Sequence, residues 1–472
     1  MAYSGKQARR KFMGLRLEWV RRPLAVIWLI AIVGGCSDPA EDPADSPTLA
    51  LVDPLSIPAT PTLDPKRFRT SDTCATCHAD HAREWRLSRH AFAMRDPVFR
   101  RLVAIRNVAK ANQEDGFCTQ CHSAIGTRGG ECVQGFNFDA LSPVVLEGVT
   151  CEACHKTTEV VRTFNAGHKL DAAVGMGATL SDPEDNAFHT SRTAPHMAKA
   201  EFCGACHDVV ETSGLPLERP HAEWQTSPAK ATGQTCQQCH MPSRQGLAAT
   251  GGATRTVHSH LFVGVETQVG GGTTMTTADR AEMNAAIGEL LTSAAGLSLA
   301  VSPSTATDQQ LDLVLTVTNK IAGHNFPTGS SFLRQVWVEI SAKDAQGKVF
   351  YASGDLDTNG DLRDHWSELD PYGDSDLISL SSRFIDTKGD RTLFSWEAVE
   401  HTSDAIEPLR QRTWTLFLPV PKNATGPLTI EARLRFRAYG PFLLRLLGLA
   451  DLIPGFPIWD IDSATATVQV TP

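Results

Sequence analysis

Five copies of the pattern C-x-x-C-H constrain this chain more than any other feature. Ten of its twelve cysteines lie in these copies. Two thiols separated by two residues share one turn, so each can add to a vinyl group of one haem while the following histidine binds the iron. The pattern therefore predicts five haem c groups. The attachment cysteines are Cys74 and Cys77, Cys118 and Cys121, Cys151 and Cys154, Cys203 and Cys206, and Cys236 and Cys239. The proximal iron ligands are His78, His122, His155, His207 and His240.

Zinc is the structural alternative, because pairs of C-x-x-C also build tetrahedral Zn–S sites. Zinc sites combine such pairs in twos and do not require a histidine after each pair. An odd number of pairs, each followed by histidine, favours haem. Cys132 lies outside the motifs and is interpreted as a buried free thiol, with a ligand role as the alternative.

Sixth ligands for five irons must come from elsewhere in the chain. Sixteen histidines are present, and five are already proximal. Methionine is the other common axial ligand, but few methionines lie in this region, so histidine at both axial positions is favoured. Eight of the remaining histidines lie between His81 and His260.

The N-terminus has the pattern of an export signal. Residues 1–35 combine a basic start, an apolar stretch from Leu24 to Val33 and small residues before Cys36. The sequence V-G-G-C resembles a bacterial lipobox, which predicts lipidation of Cys36; a cleaved signal and an uncleaved anchor are the alternatives. All three place the chain outside the cytoplasm, in the periplasm or at the cell surface. Residues 36–66, rich in Pro, Asp, Ala and Ser, are predicted to form a disordered tether.

Charge limits the class of partner. The formal net charge is −9, and it becomes more negative once the basic residues of the leader are removed. An acidic chain is a poor nucleic-acid binder, and we expect redox partners with basic surfaces instead.

The sequence between the motifs resembles that of multihaem c-type cytochromes, the class that includes the tetrahaem partner of hydroxylamine oxidoreductase. The supporting segments are C-H-A-D-H-A-R-E-W-R-L-S-R-H from Cys77, E-G-V-T-C-E-A-C-H from Glu147, and N-K-I-A-G-H-N-F-P-T-G from Asn319. The resemblance implies a distal iron-ligand role for His90. It also makes candidates of His189, His196, His258, His260 and His324, with His168 in reserve. The chain has five haem motifs, which matches neither the four of that tetrahaem cytochrome nor the eight of hydroxylamine oxidoreductase.

Cysteine ends at residue 239, and the composition changes to that of a β domain. Thr276 and Thr277 can cap a helix that continues to about Ala295 and joins the two domains. Alternating apolar residues then predict strands, and several such strands favour an antiparallel β-sandwich. These strands are expected at residues 311–317, 336–340, 348–352, 414–418, 428–436 and 464–470. Residues 442–452 are predicted to form a short apolar helix or lid that packs on its own domain, with a haem edge or a membrane partner as the alternatives.

One loop resembles the start of a calcium site. Oxygen-bearing side chains occupy alternate positions at Asp355, Asp357, Asn359 and Asp361, and Gly360 allows a sharp turn. The glutamate expected at the twelfth position of such a loop is replaced by Trp366. A turn between strands is the alternative to a Ca²⁺ site.

The predicted protein is multidomain, with a mainly α and irregular multihaem region followed by an antiparallel β-sandwich. Its segments are a lipoprotein signal (1–35), a tether (36–66), a pentahaem domain (67–275), a linker helix (276–296) and the sandwich (297–472).

Two functions are compatible with these features. The first is electron transfer between a donor and an acceptor protein by a lipid-anchored cytochrome. The second is an oxidoreductase acting on a small nitrogen or sulfur compound at a five-coordinate haem. Against the second, the chain has no C-x-x-C-K motif, and its tyrosines beyond the leader, Tyr351, Tyr372 and Tyr439, lie outside the haem region.

Overall fold

The computed structural model describes residues 60–471. The predicted signal segment, the lipidation site at Cys36 and most of the predicted tether lie outside the described residues. The last tether residues do belong to the folded region. The amides of Thr62 and Leu63 donate to Arg128 O, and Pro65–Arg67 is a short 3₁₀-helix. The tether boundary at residue 66 was therefore placed too late, because apolar Leu63 and Pro65 pack on the haem region.

Short helices carry most of the haem region. Within the described residues before Thr276 they are α1 (Ser71–Ala75), α2 (Ala79–Leu87), α3 (Arg89–Phe92), α4 (Pro97–Ala109), α5 (Gly116–His122), α6 (Ala124–Arg128), α7 (Pro143–Leu146), α8 (Cys151–His155), α9 (Ala200–Gly204), α10 (Pro220–Gln225), α11 (Pro228–Ala231) and α12 (Cys236–His240). Further 3₁₀ turns span Phe138–Ala140 and Pro195–Ala198. Most of these helices have only one or two turns, which are marginal without tertiary support.

Four small two-stranded sheets complete the haem region. Three are antiparallel, and the pair β3–β4 is parallel. The strands are β1 (Thr157–Val160), β2 (His168–Leu170), β3 (Met176–Ala178), β4 (Ser191–Thr193), β5 (Val209–Val210), β6 (Pro216–Glu218), β7 (Ser243–Leu247) and β8 (Thr254–His258). The expectation of short helices and irregular chain without a large sheet is thus confirmed here.

The predicted linker helix is α13, Thr277–Ala294. Thr276 caps it as expected, because its side chain accepts from Asp279 N while the Asp279 carboxylate accepts from Thr276 N. Ile287 and Leu291 are buried in the core of the C-terminal domain. On its other side, Arg83 of the haem region forms ion pairs with Asp279 and Glu282. The helix therefore contacts both domains.

Two sheets form the C-terminal domain around one core. A three-stranded sheet has the order β18 (Gln411–Pro419), β11 (Gln310–Asn319), β9 (Ala295–Val301). A six-stranded sheet has the order β10 (Ser304–Ala306), β20 (Ile458–Thr471), β19 (Leu428–Arg437), β12 (Gln335–Lys343), β13 (Val349–Ser353), and β14 (Ile378–Ser379) also pairs with β12. All pairs are antiparallel except β10–β20. Leu313 and Leu315 of the first sheet share a buried cluster with Ile340 and Leu434 of the second, as a sandwich requires.

The strands coincide with the predicted segments, and the domain has several further strands that the sequence did not predict. In chain order the strands are β9 (Ala295–Val301), β10 (Ser304–Ala306), β11 (Gln310–Asn319), β12 (Gln335–Lys343), β13 (Val349–Ser353), β14 (Ile378–Ser379), β15 (Ser382–Asp386), β16 (Arg391–Thr392), β17 (Ala398–Ser403), β18 (Gln411–Pro419), β19 (Leu428–Arg437) and β20 (Ile458–Thr471). The sequence did not predict the small sheet β16-β15-β17, because its strands are short and weakly alternating.

The predicted apolar helix is α14, Pro441–Leu446, and a 3₁₀ turn at Ala450–Gly455 follows it. Leu443, Leu444 and Leu447 are buried in the core of the C-terminal domain, so this segment packs on its own domain as predicted. A further 3₁₀ turn spans Ser395–Glu397.

The two domains also meet through side chains. Phe117 and Leu217 of the haem region form one cluster with Phe384 and Ala398 of the small sheet. Among residues 60–471, no helix is both long and apolar enough to cross a membrane.

Candidate haem sites

Each C-x-x-C-H motif lies on a helical turn. In the first motif the amides of Cys77 and His78 donate back to Cys74 O, and in the fourth His207 N donates to Cys203 O at 2.9 Å. The third and fifth motifs occupy all of α8 and α12. Their preceding threonines, Thr150 and Thr235, cap these helices. Such a turn places both thiols of a motif and its histidine on one short segment, which is what thioether attachment requires.

Three proximal histidines are oriented by backbone carbonyls. The Nδ1 atoms of His78, His122 and His155 donate to Ala248 O at 2.6 Å, Ala93 O at 3.1 Å and Gly177 O at 2.6 Å. A carbonyl accepts only, so the proton lies on Nδ1 and the lone pair on Nε2 is available to a metal.

Four proximal histidines face a second histidine at nearly constant separation. Metal–nitrogen bonds of about 2 Å on both sides of one metal place two imidazole centres roughly 6 Å apart. The ring centres are 6.4 Å apart for His78–His189, 6.1 Å for His207–His90, 6.3 Å for His155–His260 and 6.4 Å for His240–His324. These donor pairs fit an iron between them.

Burial lowers the pKa of four of these imidazoles, those of His90, His155, His240 and His260, and so favours the neutral form that binds iron. It lowers the pKa of His90 to about 4, of His240 to about 4 and of His260 to about 3. His81 also lies 6.5 Å from His78, but it follows His78 by one turn and cannot reach the opposite face of the same porphyrin.

His122 of the second motif differs from the other four. Its ring stacks on Phe99 at 3.8 Å between centres, with 5° between the planes. Within the part of the chain that the structure describes, no histidine ring faces it at about 6 Å. The second motif therefore has a proximal histidine without a histidine partner.

The remaining candidates lie elsewhere. His196 Nε2 contacts Thr157 O at 3.0 Å, and His258 Nδ1 contacts Met241 O at 3.1 Å. The reserve candidate His168 is held between Phe202 O and Cys206 Sγ. The structure thus brings His90, His189, His260 and His324 to proximal histidines and does not bring His196, His258 or His168 to one.

Contacts between attachment cysteines give the order of the motifs. Cys74 and Cys151 are neighbours whose pKa values depend on each other, which joins the first motif to the third. The third motif adjoins the fourth, because the charge of Cys206 acts on Cys154. Cys203 and Cys236 are neighbours in the same sense, and so are Cys121 and Cys206. The motifs therefore form the series first, third, fourth and fifth, with the second beside the fourth.

Cys132 lies in the apolar cluster of Ile125 and Val145 and is fully buried. Burial raises the pKa of its thiol to about 12. Its position agrees with the interpretation as a structural thiol.

The calcium prediction receives no support. Asp355 forms an ion pair with Arg363, and Asp361 forms one with Arg445. Among residues 60–471, no group of three or more His, Cys, Asp or Glu side chains could hold a metal ion. The carboxylates thus neutralise arginines within the domain, and the loop is a turn between strands.

Sequence reasoning missed several residues around the second motif. Phe99 and Ala93 contact His122, while Leu217 and Phe384 come from distant segments and share a cluster with Cys118. None belongs to a motif, so no local signal could have identified them.

Comparison with known proteins agrees with this geometry. A family model described as cytochrome c554 and c-prime matches residues 73–156, which contain the first three motifs. Cytochrome c-554 of Nitrosomonas europaea is 27% identical over 152 residues; the match covers 31% of this chain and 60% of the relative. A penta-haem cytochrome c552 from Thermochromatium tepidum has a similar fold. Its TM-score is 0.58 at 19% identity, and the alignment covers 86% of this chain and 100% of that chain. The family match thus contains three of the five C-x-x-C-H motifs, and the structural match shows that the fold resembles that of a multihaem cytochrome.

Proposed function

We propose that this chain is an extracytoplasmic pentahaem electron-transfer protein, held at a bacterial membrane by a lipid on Cys36, in the periplasm or at the cell surface. It would bind five haem c groups, one at each motif. Haem, when bound, supplies a one-electron iron(III)/iron(II) couple. The observation that carries the proposal is the continuous series of motifs, four of which have paired histidines at 6.1–6.4 Å.

The protein's own residues have three tasks in this function. The cysteine pairs hold neighbouring groups next to one another, as the contacts between Cys74 and Cys151 and between Cys203 and Cys236 indicate. The paired imidazoles would hold each iron, so that no ligand would have to leave or bind during a change of charge. The low pKa values of His90, His240 and His260 keep these three imidazoles in the neutral form that binds iron.

The ends of the series are the natural points for exchange with partners. The first motif pairs with His189, and the adjacent Phe188 is 68% exposed. The fifth motif includes Cys239, an exposed attachment cysteine. We expect a donor and an acceptor with basic surfaces at these two ends, since the chain is acidic. No role in nucleic-acid binding is proposed.

Spectroscopy of the purified haem-loaded protein tests this assignment. Mass and pyridine haemochrome measurements should give five haems per chain. EPR should show four low-spin irons with two histidine ligands each. His324→Ala should convert one of these to a high-spin iron that binds CO, because it removes the partner of His240. His365→Ala is the matched control, since His365 contacts Tyr372 and lies outside all four pairs. An unchanged spectrum for His324→Ala would remove this ligand pair from the assignment.

A second candidate function is favoured by one observation, the absence of a histidine partner for His122 in the described residues. An iron held there from one side could bind a small nitrogen or sulfur compound and exchange electrons with it through the fourth motif. A high-spin EPR signal and CO binding in the unmodified protein are expected for this function. Only low-spin iron, with no response to CO, would contradict it.

A further inference from the structure

One phenylalanine side chain contacts the distal histidines of two neighbouring motifs. The ring centre of Phe262 lies 4.5 Å from that of His90 and 5.6 Å from that of His260. His90 is the partner of His207 in the fourth motif, and His260 is the partner of His155 in the third. These two motifs adjoin in the series, so a single side chain borders the distal ligands of two successive sites.

Both contacts are close to perpendicular. The plane of the Phe262 ring makes an angle of 72° with the His90 ring and of 79° with the His260 ring. Perpendicular contact at these separations is a favoured arrangement of aromatic rings, with the edge of one ring against the face of the other. An imidazole that rotated about its bond to a metal would lose this arrangement. The contacts therefore favour one orientation of each imidazole.

The His90 ring depends on this contact more than the His260 ring does. His260 Nδ1 donates to His258 O at 2.9 Å, so a carbonyl orients that ring as it orients three of the proximal histidines. Among residues 60–471, the His90 ring has no hydrogen-bond partner. Packing alone sets the orientation of His90, and Phe262 lies nearer to it than the ring of His207 does.

Hydrogen bonds hold the segment around Phe262 against the helices that lead to His90. On one side of Phe262, His260 N donates to Glu84 Oε2 of α2 at 2.8 Å. On the other side, Gln268 Nε2 donates to Ser88 O, at the start of α3, at 3.1 Å. The segment is therefore fixed to α2 and α3 before and after Phe262.

The backbone of Phe262 itself has an unfavourable conformation. Its φ is +44°, in the left-handed region that bulky residues rarely adopt. Such a conformation persists only where the surrounding structure imposes it, and it is most common at functional sites. The tertiary structure thus places this ring between the two histidines at a local cost.

We propose that Phe262 is a positioning residue for two irons, which orients the imidazoles of His90 and His260 and so adjusts the third and fourth motifs together. The groups around an axial ligand set its orientation, and their apolar character limits the access of water, which in turn influences the potential of the iron. This inference rests on the proposed function, because it takes the paired histidines as iron ligands.

EPR and potentiometric titration of the haem-loaded protein test the inference. Phe262→Ala and Phe262→Leu should change the g values of two of the four low-spin irons. Both variants should also lower the midpoint potentials of these two irons, because water that enters favours the more highly charged ferric state. The larger change is expected at the fourth motif, since His90 lacks a hydrogen bond. Phe262→Tyr keeps the ring and should retain the wild-type g values.

The affected irons are assigned by removing the other two signals. His189→Ala and His324→Ala eliminate the low-spin signals of the first and fifth motifs, so the third and fourth remain. Phe136→Ala is the matched control, because Phe136 is a partly buried phenylalanine of the haem region whose ring contacts Phe138. Unchanged signals of the first and fifth motifs in Phe262→Ala verify that the variant is folded.

Several results would overturn the positioning role alone. These are wild-type spectra and potentials in Phe262→Ala, a change confined to one motif, a change of equal size at all four, or the same change in Phe136→Ala or Phe262→Tyr. A wild-type protein without four low-spin irons that have two histidine ligands each would instead overturn the ligand pairs of the proposed function.

Discussion

The haem region and the C-terminal domain bury their interiors by different means. The C-terminal domain has one continuous apolar core in which Leu313, Leu315, Ile340 and Leu434 from two sheets are almost fully buried. The haem region has smaller clusters, such as the one around Ile125 and Val145, and its helices have few turns. The C-terminal core also takes in Val98 and Val269 of the haem region, whereas the haem region's own clusters are small. We therefore expect the haem region to depend on bound porphyrin for much of its interior.

The largest effect is expected when the porphyrin is absent. Expression without the haem-attachment machinery should leave residues 60–275 open to protease, while residues 297–471 remain resistant, because only the latter region has an extensive apolar core. Limited proteolysis with mass analysis of the fragments measures the difference, with the haem-loaded protein as control. Protease resistance of the haem region in the haem-free chain would contradict this difference between the two domains.

A cavity in the C-terminal core should destabilise the C-terminal domain and leave the haem region unchanged, which is the opposite of the result expected without haem. Leu313→Ala removes a fully buried side chain and should cost about 4 kcal/mol of the free energy of unfolding of this domain. Denaturant unfolding followed by tryptophan fluorescence measures it, while the haem spectrum should stay unchanged below the transition. Leu369→Ala is the matched control, since Leu369 is 55% exposed. Equal losses in the two variants would contradict the assigned core.

The two domains are also joined by a buried charge network. Its loss should lower the free energy of unfolding by somewhat less than the cavity of Leu313→Ala does. Glu266 forms ion pairs with Arg89 of the haem region at 3.3 Å and with Arg334 of the C-terminal domain at 3.0 Å, and it accepts from Tyr439 at 3.2 Å. Glu266→Gln should cost about 3 kcal/mol, because it leaves Arg334 without its counter-charge, although Arg89 keeps its ion pair with Asp96. Calorimetry measures the loss, and Glu289→Gln on the exposed side of α13 is the control.

The same carboxylate predicts a pH dependence. Burial alone would raise the pKa of Glu266, but Arg334 and Arg89 outweigh burial and lower it below its ordinary value of 4.5. A group whose pKa is lower in the folded state stabilises fully above its unfolded pKa and loses that contribution as pH falls through the folded pKa. Stability should therefore decrease as pH falls below about 4.5, and Glu266→Gln should show a weaker decrease. Parallel pH profiles would exclude this carboxylate as the source.

The smallest expected effect concerns the helix between the domains. Thr276→Ala removes the cap of α13 and should cost about 1 kcal/mol. Thermal unfolding of the haem-loaded protein measures it. Thr292→Ala, in the last turns of the same helix, is the control, because its hydroxyl bonds back to Gly288 O and Glu289 O within the helix and caps no free backbone amide. An equal loss of thermal stability in Thr292→Ala would show that the cap has no special role.

Local patterns were sufficient for several parts of this molecule. The spacing of cysteine and histidine identified the five motifs, alternation at residues 311–317 located β11, and Thr276 located the start of α13. These features were readable because covalent attachment, strand pleat and helix capping each depend on residues a few positions apart.

Only the tertiary structure decided how the sites are completed. It brought His324 of the C-terminal domain to His240 and left His122 without a histidine partner in the described residues. The sequence presents His196 and His258 as equally good ligands, yet neither reaches a proximal histidine. The physical reason is that axial pairing depends on a separation of about 6 Å through space, which is set by how distant segments pack and leaves no periodicity along the chain.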